Sequence, residues 1–367
     1  MQRILPTIAA LLISIGPTAP ALAQDVQYLL HGDGGRLDWS ETNQALVLDR
    51  VDSSGFSRIW IMDKAGSSLH CISCDNANLP REHQGNPSWH PGGKYIVFQA
   101  TDPEVANRAV AKTSLYKLYT SPGAGTNNNI WIMTGDGKQV WQITKLKRAQ
   151  GVLHPHFSPD GSKLIWAQRL NNEGGIGRWA IKLAEFSEQS SAPVVSNLTT
   201  LTPGNLLWYE THGFSPDSGS IIFTGMPADG NGGNGADFDI YTYDLKTSEL
   251  KCLTDHNLKQ WDEHAHYTPD GKRIVWMSSM GNPQRAWRLN QFTVKTDFWI
   301  MNADGTNKQQ ISYFNDPPGM RSKKKRVIAA DLSISGDGSC LYGYIQDPGT
   351  MVRPGSVVRL LLPPVSK

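Results

Sequence analysis

Short apolar runs rich in β-branched and aromatic residues recur along the whole chain, and each run is followed by a turn rich in Gly, Asp or Pro. Examples are KYIVFQA at residues 94–100, KLIWAQ at 163–168 and KRIVWMS at 272–278. A period of two dominates these runs, and long stretches with a helical period are absent from the sequence. The pattern predicts an all-β protein.

The same series of segments recurs six times. A segment that ends in an aromatic residue and a turn reads PSWHPGG, HFSPDG, GFSPDS and HYTPDG, with degenerate copies DWSETN and SISGDG. An apolar run follows each copy, then a strand such as RIWIMD, NIWIMT or DFWIMN, then one such as VWQIT, LKCLT or KQQIS. Repeats of this kind are typical of arrays of small sheets. Four short strands per repeat predict a six-bladed β-propeller of four-stranded antiparallel blades.

The last blade lacks one strand, because the sixth repeat ends with SVVRLLL at residues 356–362. The segment VQYLLH at residues 26–31 precedes the first inner strand, so we predict that it completes the last blade and removes two exposed sheet edges. Four longer inserts are predicted to be surface loops, at residues 102–129, 185–197, 226–237 and 280–295.

The N-terminus is typical of a secretory signal peptide. Arg3 precedes an apolar run from Ile4 to Ile15, and the small-residue pattern around Ala23 predicts cleavage after that residue. We therefore expect a signal peptide at 1–23 and one propeller domain at 24–367. The apolar run is too short for a membrane anchor, and no later segment has the length to span a bilayer. The mature protein is expected to be periplasmic or secreted, not membrane-spanning, and monomeric.

Charge and cysteines narrow the picture further. A formal net charge of +2 predicts no nucleic-acid partner, and the basic run at residues 321–326 has no interleaved aromatic residues to stack bases. Cys71 and Cys74 form a C-x-x-C pair, which can be a local disulfide in an exported protein or two free thiols. Whether Cys252 and Cys340 pair stays open at this point.

The repeat resembles a known family. Turns of the SPDG type, followed by IWIM and then a strand of the Q-x-[IL]-[ST] type, are similar to the TolB-type (WD-like) propeller repeat over nearly the whole mature chain. The resemblance implies a propeller, export and an interaction with envelope proteins. TolB itself carries a separate α/β domain before its propeller, and here the first blade is expected directly after the signal peptide.

Histidines and carboxylates cluster immediately before the turns. His154 and His156, and likewise His264 and His266, are two residues apart on a predicted inner strand, so each pair can point to one face. Equivalent positions of all blades converge on the propeller axis, and His212 lies between the two pairs in the chain. Five imidazoles at one channel mouth predict a zinc, manganese or iron site. A structural role is the alternative, because a single histidine in this position commonly hydrogen-bonds a loop.

Other residues near these strands are candidates for substrate binding or catalysis. The exposed aromatic residues expected at the mouth suit carbohydrate rings, and the neighbouring polar side chains are predicted to bind the same ligand. This set comprises Trp208, Tyr209, Trp261, Asp262, Asp331 and Asn86. Glu210 and Glu263 are the candidate general bases.

Two functions stay open from the sequence. The first is a binding or interaction module that recognises envelope proteins or a carbohydrate ligand. The second is a metal-dependent enzyme, because the H-x-H pairs also resemble those of oligogalacturonate lyases, which are TolB-like propellers with a histidine-held manganese. That resemblance implies a polysaccharide or oligouronide lyase, and a hydrolase is a further alternative.

Overall fold

The computed structural model describes residues 26–104, 116–117, 120–227, 238–254, 260–282, 294–315, 326–346 and 355–364. The predicted signal peptide and the basic segment at 321–325 lie outside this part of the chain. Within it, no helix is long and apolar enough to cross a membrane.

The described residues form six four-stranded antiparallel sheets, as predicted. The first strand, β1 (Gln27–Gly34), belongs to the last blade. Blades one to three comprise β2 (Leu37–Ser40), β3 (Ala45–Val51), β4 (Ser57–Asp63), β5 (His70–Cys71); β6 (Gln84–Trp89), β7 (Tyr95–Thr101), β8 (Asn128–Thr134), β9 (Val140–Gln142); and β10 (Gly151–Phe157), β11 (Lys163–Arg169), β12 (Trp179–Gln189), β13 (Ala192–Leu201).

Blades four to six comprise β14 (Trp208–Phe214), β15 (Ser220–Met226), β16 (Asp239–Asp244), β17 (Leu250–Cys252); β18 (Asp262–Tyr267), β19 (Arg273–Ser278), β20 (Asp297–Asn302), β21 (Gln309–Gln310); and β22 (Ile328–Ile334), β23 (Cys340–Gln346), β24 (Gly355–Leu361) with β1. Short 3₁₀ helices span Pro122–Ala124 and Pro203–Asn205. The first strand of each repeat contacts those of its neighbours, so these six strands surround the central channel.

The ring closes between blade six and blade one. Strand β1 pairs with β24, which confirms the predicted closure by the N-terminal strand. The Asp38 carboxylate accepts hydrogen bonds from the Ser88 and Ser333 hydroxyls and from the backbone N–H groups of Trp39 and Trp89, at 2.8–3.0 Å. Because these donors belong to blades one, two and six, one half-buried carboxylate joins the blades on both sides of the closure.

The inner strands are not regular. Five of them carry a bulge-like shift in register with the second strand, at the residues that precede the turn. Asn86, His154 and His264 adopt left-handed backbone conformations there, with φ of 49°, 45° and 54°. Such a conformation costs a non-glycine residue about 1 kcal/mol or more, and strained positions of this kind cluster at functional sites.

Two inserts differ from the loop prediction. Residues 185–197 are not a loop, because they extend β12 and β13 into a long hairpin with a two-residue turn at Ser190 and Ser191. The insert at 102–129 includes the 3₁₀ helix at Pro122–Ala124, which contacts the inner strands β6 and β10. Most of the inserts at 226–237 and 280–295 lies outside the described residues.

The structure shows which cysteines are paired. Cys71 and Cys74 are joined by a disulfide, whereas Cys252 and Cys340 are free. Cys340 lies on β23, the second strand of blade six, and is buried.

Candidate metal centre in the channel

Four side chains from three adjacent blades meet on the channel axis. His154 comes from β10, Glu210 and His212 from β14, and His264 from β18. One ligand atom from each lies within 4.8 Å of the others, and all four residues are buried. Three imidazoles and one carboxylate form a common ligand set for zinc and other transition metals.

The contacts within this group, called the His₃Glu cluster below, are short. His154 Nε2 lies 2.9 Å from Glu210 Oε1, and His264 Nδ1 lies 3.8 Å from the same oxygen. His212 Nε2 accepts from the backbone N–H of His264 at 3.2 Å and lies 2.8 Å from the Thr224 hydroxyl. The ring centroids of His154 and His264, and of His212 and His264, are both 5.2 Å apart. The cluster is therefore assembled in advance, with its rings fixed by neighbouring strands.

Two nitrogens of the cluster have no hydrogen-bond partner in the described part of the chain. The Nδ1 atoms of His212 and His264 are buried and lack hydrogen bonds in the described part of the chain. An unpartnered buried polar atom carries a desolvation cost of about 1–3 kcal/mol. A cation between the rings would remove that cost, so the residues present fit a metal ion.

Burial disfavours charge on the side chains of the cluster. Desolvation lowers the pKa values of His154, His212 and His264 well below their ordinary value, and neighbouring positive groups lower them further. Burial also raises the pKa of Glu210 to about 7, although the Arg36 charge opposes the shift. The 2.9 Å contact between His154 and Glu210 fits an ion pair or a neutral hydrogen bond, and burial favours the neutral form.

Cavities open on both sides of the cluster. The turn-side cavity, of 420 Å³, is lined by residues next to the Pro/Asp/Gly turns, among them Asp38, His156, His212 and His266. The loop-side cavity, of 410 Å³, is lined by His154, Glu210 and His264 together with residues from connecting loops. The cluster thus separates two halves of the channel, and both volumes are in the range of small-molecule sites.

His156 and His266 lie on the turn side, one level away from the cluster. Their ring centroids are 5.6 Å apart, and the His154 and His156 rings are separated by 6.4 Å. Burial lowers the pKa of His266 to about 3 and that of His156 well below the ordinary value. All five predicted imidazoles therefore converge, but they occupy two levels, and only three of them share the site with Glu210.

The two predicted bases have different surroundings. Glu210 contacts His154 as a potential ligand, whereas Glu263 lines the loop-side cavity beside the cluster. Glu263 Oε2 accepts from the Trp261 indole N–H at 2.6 Å and lies 3.9 Å from His264 Nε2. Burial, then repulsion from Glu210, raises the pKa of Glu263 well above its usual range.

The predicted substrate-binding residues divide into two groups. Trp208, Trp261 and Asp331 line the loop-side cavity, and burial raises the pKa of Asp331 to about 8. The other three residues, Tyr209, Asp262 and Asn86, do not line either cavity.

The side chains of these three residues form hydrogen bonds within the fold. Tyr209 is fully buried, and its hydroxyl accepts from Leu206 N–H and donates to the Pro203 carbonyl. The Asp262 carboxylate is buried and accepts from the Trp276 indole N–H. The Asn86 side-chain amide donates to Gln99 on the next strand of its own blade.

Arg36 is the site residue that sequence reasoning did not select. Its guanidinium lines the loop-side cavity, and its Nε is buried without a partner. Burial opposes the charge, but Asp49, Asp331, Tyr344 and Glu210 together hold the pKa of Arg36 above its ordinary value. In the sequence, Arg36 aligns with His154 as its equivalent in the first blade. Only the structure shows that its side chain has no hydrogen-bond partner in the described chain.

Sequence comparison finds a partial relative of this chain and no family. No family model matches the chain. An uncharacterized protein of Agrobacterium fabrum is 27% identical over 207 residues, which are 47% of this chain and 66% of that protein. The chain therefore spans slightly less than two thirds of that relative.

Solved structures are similar to this chain over a larger share of its length. Putative TolB from Agrobacterium tumefaciens is 15% identical with a TM-score of 0.53, covering 90% of both chains. TolB from Acinetobacter baumannii is 16% identical with a TM-score of 0.51, covering 90% of this chain and 64% of that one. An oligogalacturonate lyase in complex with manganese is also similar, at 9% identity and a TM-score of 0.47, covering 92% and 93%. The last similarity is too low to carry an argument about chemistry. The chain has the TolB-type propeller fold that its repeats predict.

Proposed function

We propose that this protein binds one divalent transition metal ion through His154, Glu210, His212 and His264 and uses it to hold a small molecule in the loop-side cavity. The observation that carries the proposal is the meeting of four buried ligand atoms within 4.8 Å of one another. Zinc, manganese or iron fits this ligand set, and such an ion would act as a Lewis acid toward a ligand in the cavity.

The chain's own residues would give the ion a defined setting. His212 is fixed by Thr224 and by the His264 backbone, and the left-handed backbone of His154 and His264 sets the directions of their rings. Because the rings are held by strands of three blades, binding requires little reorganisation.

Cobalt(II) titration tests this proposal, because its visible absorption reports coordination number and ligand type. We expect intense bands of four- or five-coordinate cobalt in the wild-type protein, loss of those bands in His264→Ala, and no change in His70→Ala, an exposed histidine outside the channel. Six-coordinate spectra in all three proteins, or bands that persist in His264→Ala, would rule the site out.

Export is part of the same proposal. It is supported by the signal-like residues 1–23 and by the disulfide between Cys71 and Cys74, since disulfides persist mainly outside the cytoplasm. N-terminal sequencing of the protein expressed with its full leader should begin at Gln24; an intact N-terminus retained in the cytoplasm would contradict export. A protein partner in the envelope, or a carbohydrate ligand, stays a prediction from the sequence.

Catalysis by the same centre is the second candidate function, favoured by the position of Glu263. Its carboxyl lies beside the cluster in the cavity, and the Trp261 N–H fixes it, so it can exchange a proton with a bound molecule. Turnover of an oligouronide, for the lyase, or of 4-nitrophenyl esters, for a hydrolase, would be measured on the metal-loaded protein. Glu263→Gln should lose turnover while keeping the metal. Equal turnover by this variant would exclude Glu263 as the base.

A further inference from the structure

The loop-side cavity carries one cation that nothing in the described chain neutralises by contact. The Arg36 side chain makes no hydrogen bond and no ion pair there, and its Nε is buried and unpartnered. Its fixed planar fork of donors matches the two oxygens of a carboxylate. Asp49, Asp331 and Glu210 stabilise its charge at longer range, but none of them forms a hydrogen bond with the fork in the described chain, so the fork can accept an anionic ligand.

The backbone at Gly123 lies close to the Arg36 guanidinium. A Cβ atom at Gly123 would lie 2.3 Å from Arg36 Nη2, so only glycine leaves the guanidinium in its place. Gly123 belongs to the 3₁₀ helix of the insert at 102–129, and it lines the cavity together with Ala124. The insert thus contributes a wall of the cavity that leaves the charged fork accessible.

One part of the cavity wall is apolar. Phe238, Met277 and Ile328 line the cavity, and Trp208 packs against Phe238 with ring centroids 4.9 Å apart. An apolar body placed against these three residues would remove their side chains from water.

We propose that the loop-side cavity binds a small carboxylic acid with an apolar body, whose carboxylate is held by Arg36 and whose body packs on Phe238, Met277 and Ile328. The inference deepens the proposed function, since it names the chemical class of the molecule that the metal centre would meet. The Arg36 guanidinium would supply the specificity for the charge, and the three apolar residues would supply the contacts with the body.

Isothermal titration calorimetry of the metal-free protein with three probes tests the inference. Phenylacetate has both features, phenylacetamide lacks the charge, and gluconate is a carboxylate with a polar body. We expect phenylacetate to bind at least about tenfold more tightly than either of the other two, because phenylacetamide cannot form the charged hydrogen bonds with the guanidinium and gluconate has no apolar body; tenfold corresponds to about 1.4 kcal/mol. Equal affinity for phenylacetate and either comparison probe would overturn the inference.

Variants separate the arginine from general effects. Arg36→Gln should bind phenylacetate at least about tenfold more weakly and phenylacetamide as the wild type does. Gly123→Ala should also weaken phenylacetate binding, because the new methyl group displaces the fork. Arg50→Gln, a change to an arginine paired with Asp33 at the surface, is the matched control and should bind normally. Wild-type affinity in Arg36→Gln would refute the assignment.

Two further measurements distinguish a loss of ligand binding from a loss of folding or of metal binding. Arg36→Lys retains the buried charge without the fork, so it should fold even if Arg36→Gln does not, and it should bind phenylacetate more weakly than the wild type. Metal content is measured on the same preparations. A protein that takes up metal but not phenylacetate overturns this inference alone, and one that binds phenylacetate but no metal overturns the metal proposal alone.

Discussion

Metal affinity should depend on pH through a single carboxyl group. Glu210 has a pKa of about 7 in the buried cluster, whereas the three histidines stay neutral because burial lowers their pKa values well below 6.5. A metal ion needs the ionised carboxylate, so binding releases the Glu210 proton at pH values below about 7. The apparent affinity should then fall about tenfold for each pH unit below 7, and by about a hundredfold at pH 5.

Calorimetry in pairs of buffers with different ionisation enthalpies measures the number of protons released. In Glu210→Gln, that number should be lower by one at pH 6, and the affinity should be weaker at all pH values because an anionic ligand is missing. Asp331→Asn serves as the control, since the pKa of this nearby carboxyl is also raised, to about 8. An unchanged number of protons in Glu210→Gln, or an affinity that falls as pH rises from 5 to 7, would refute the reasoning.

Three further predictions concern the scaffold. Asp38→Ala removes the acceptor shared by three blades and leaves the buried Trp89 N–H unpaired, so the free energy of unfolding in urea should fall by about 2–4 kcal/mol; a loss below 0.5 kcal/mol would contradict the role in ring closure. Tyr209→Phe should cost about 1–2 kcal/mol and leave phenylacetate binding unchanged, because the Tyr209 hydroxyl forms hydrogen bonds with backbone groups; weaker phenylacetate binding would contradict this. His266 has a pKa of about 3 in the fold, so the metal-free protein loses stability as pH falls below 6.5. The free energy of unfolding of His266→Gln, relative to that of the wild type, should therefore rise by up to about 2 kcal/mol from pH 7.5 to pH 5. The same difference between the two proteins at both pH values would contradict this.

The blades could be predicted from sequence because their signals are local. Each strand is a short apolar run bounded by turn residues, and the closing strand follows from counting the segments of the sixth repeat. The hairpin at 185–197 was not predicted, because it lacks these local signals. Its turn residues are Ser190 and Ser191, with φ of 49° and 64°, where Asn and Gly are usual, and its strands are largely exposed. Neither the turn nor the strands show the expected pattern.

The site was predicted in outline because the repeat brings equivalent residues to one axis. The directions of its side chains depend on the bulges in the inner strands. At a bulge, side chains no longer alternate regularly between the two faces of the sheet. In blade four the extra residue is His212, so Glu210 faces His154 as a potential ligand, although the sequence suggested a general base. The role of Arg36 depends on contacts across the chain with Asp49 and Gly123, which no local pattern indicates.

The central claim is that one metal ion is bound by the His₃Glu cluster and not by the turn-side histidines. Metal content by mass spectrometry, after loading with Zn²⁺ and removal of the excess, tests it most directly in three proteins: the wild type, His154→Ala/His264→Ala, and His156→Ala/His266→Ala. The account predicts one ion per chain in the wild type and in the second variant, and none in the first. No ion in the wild-type protein, or the same content in both variants, would contradict it.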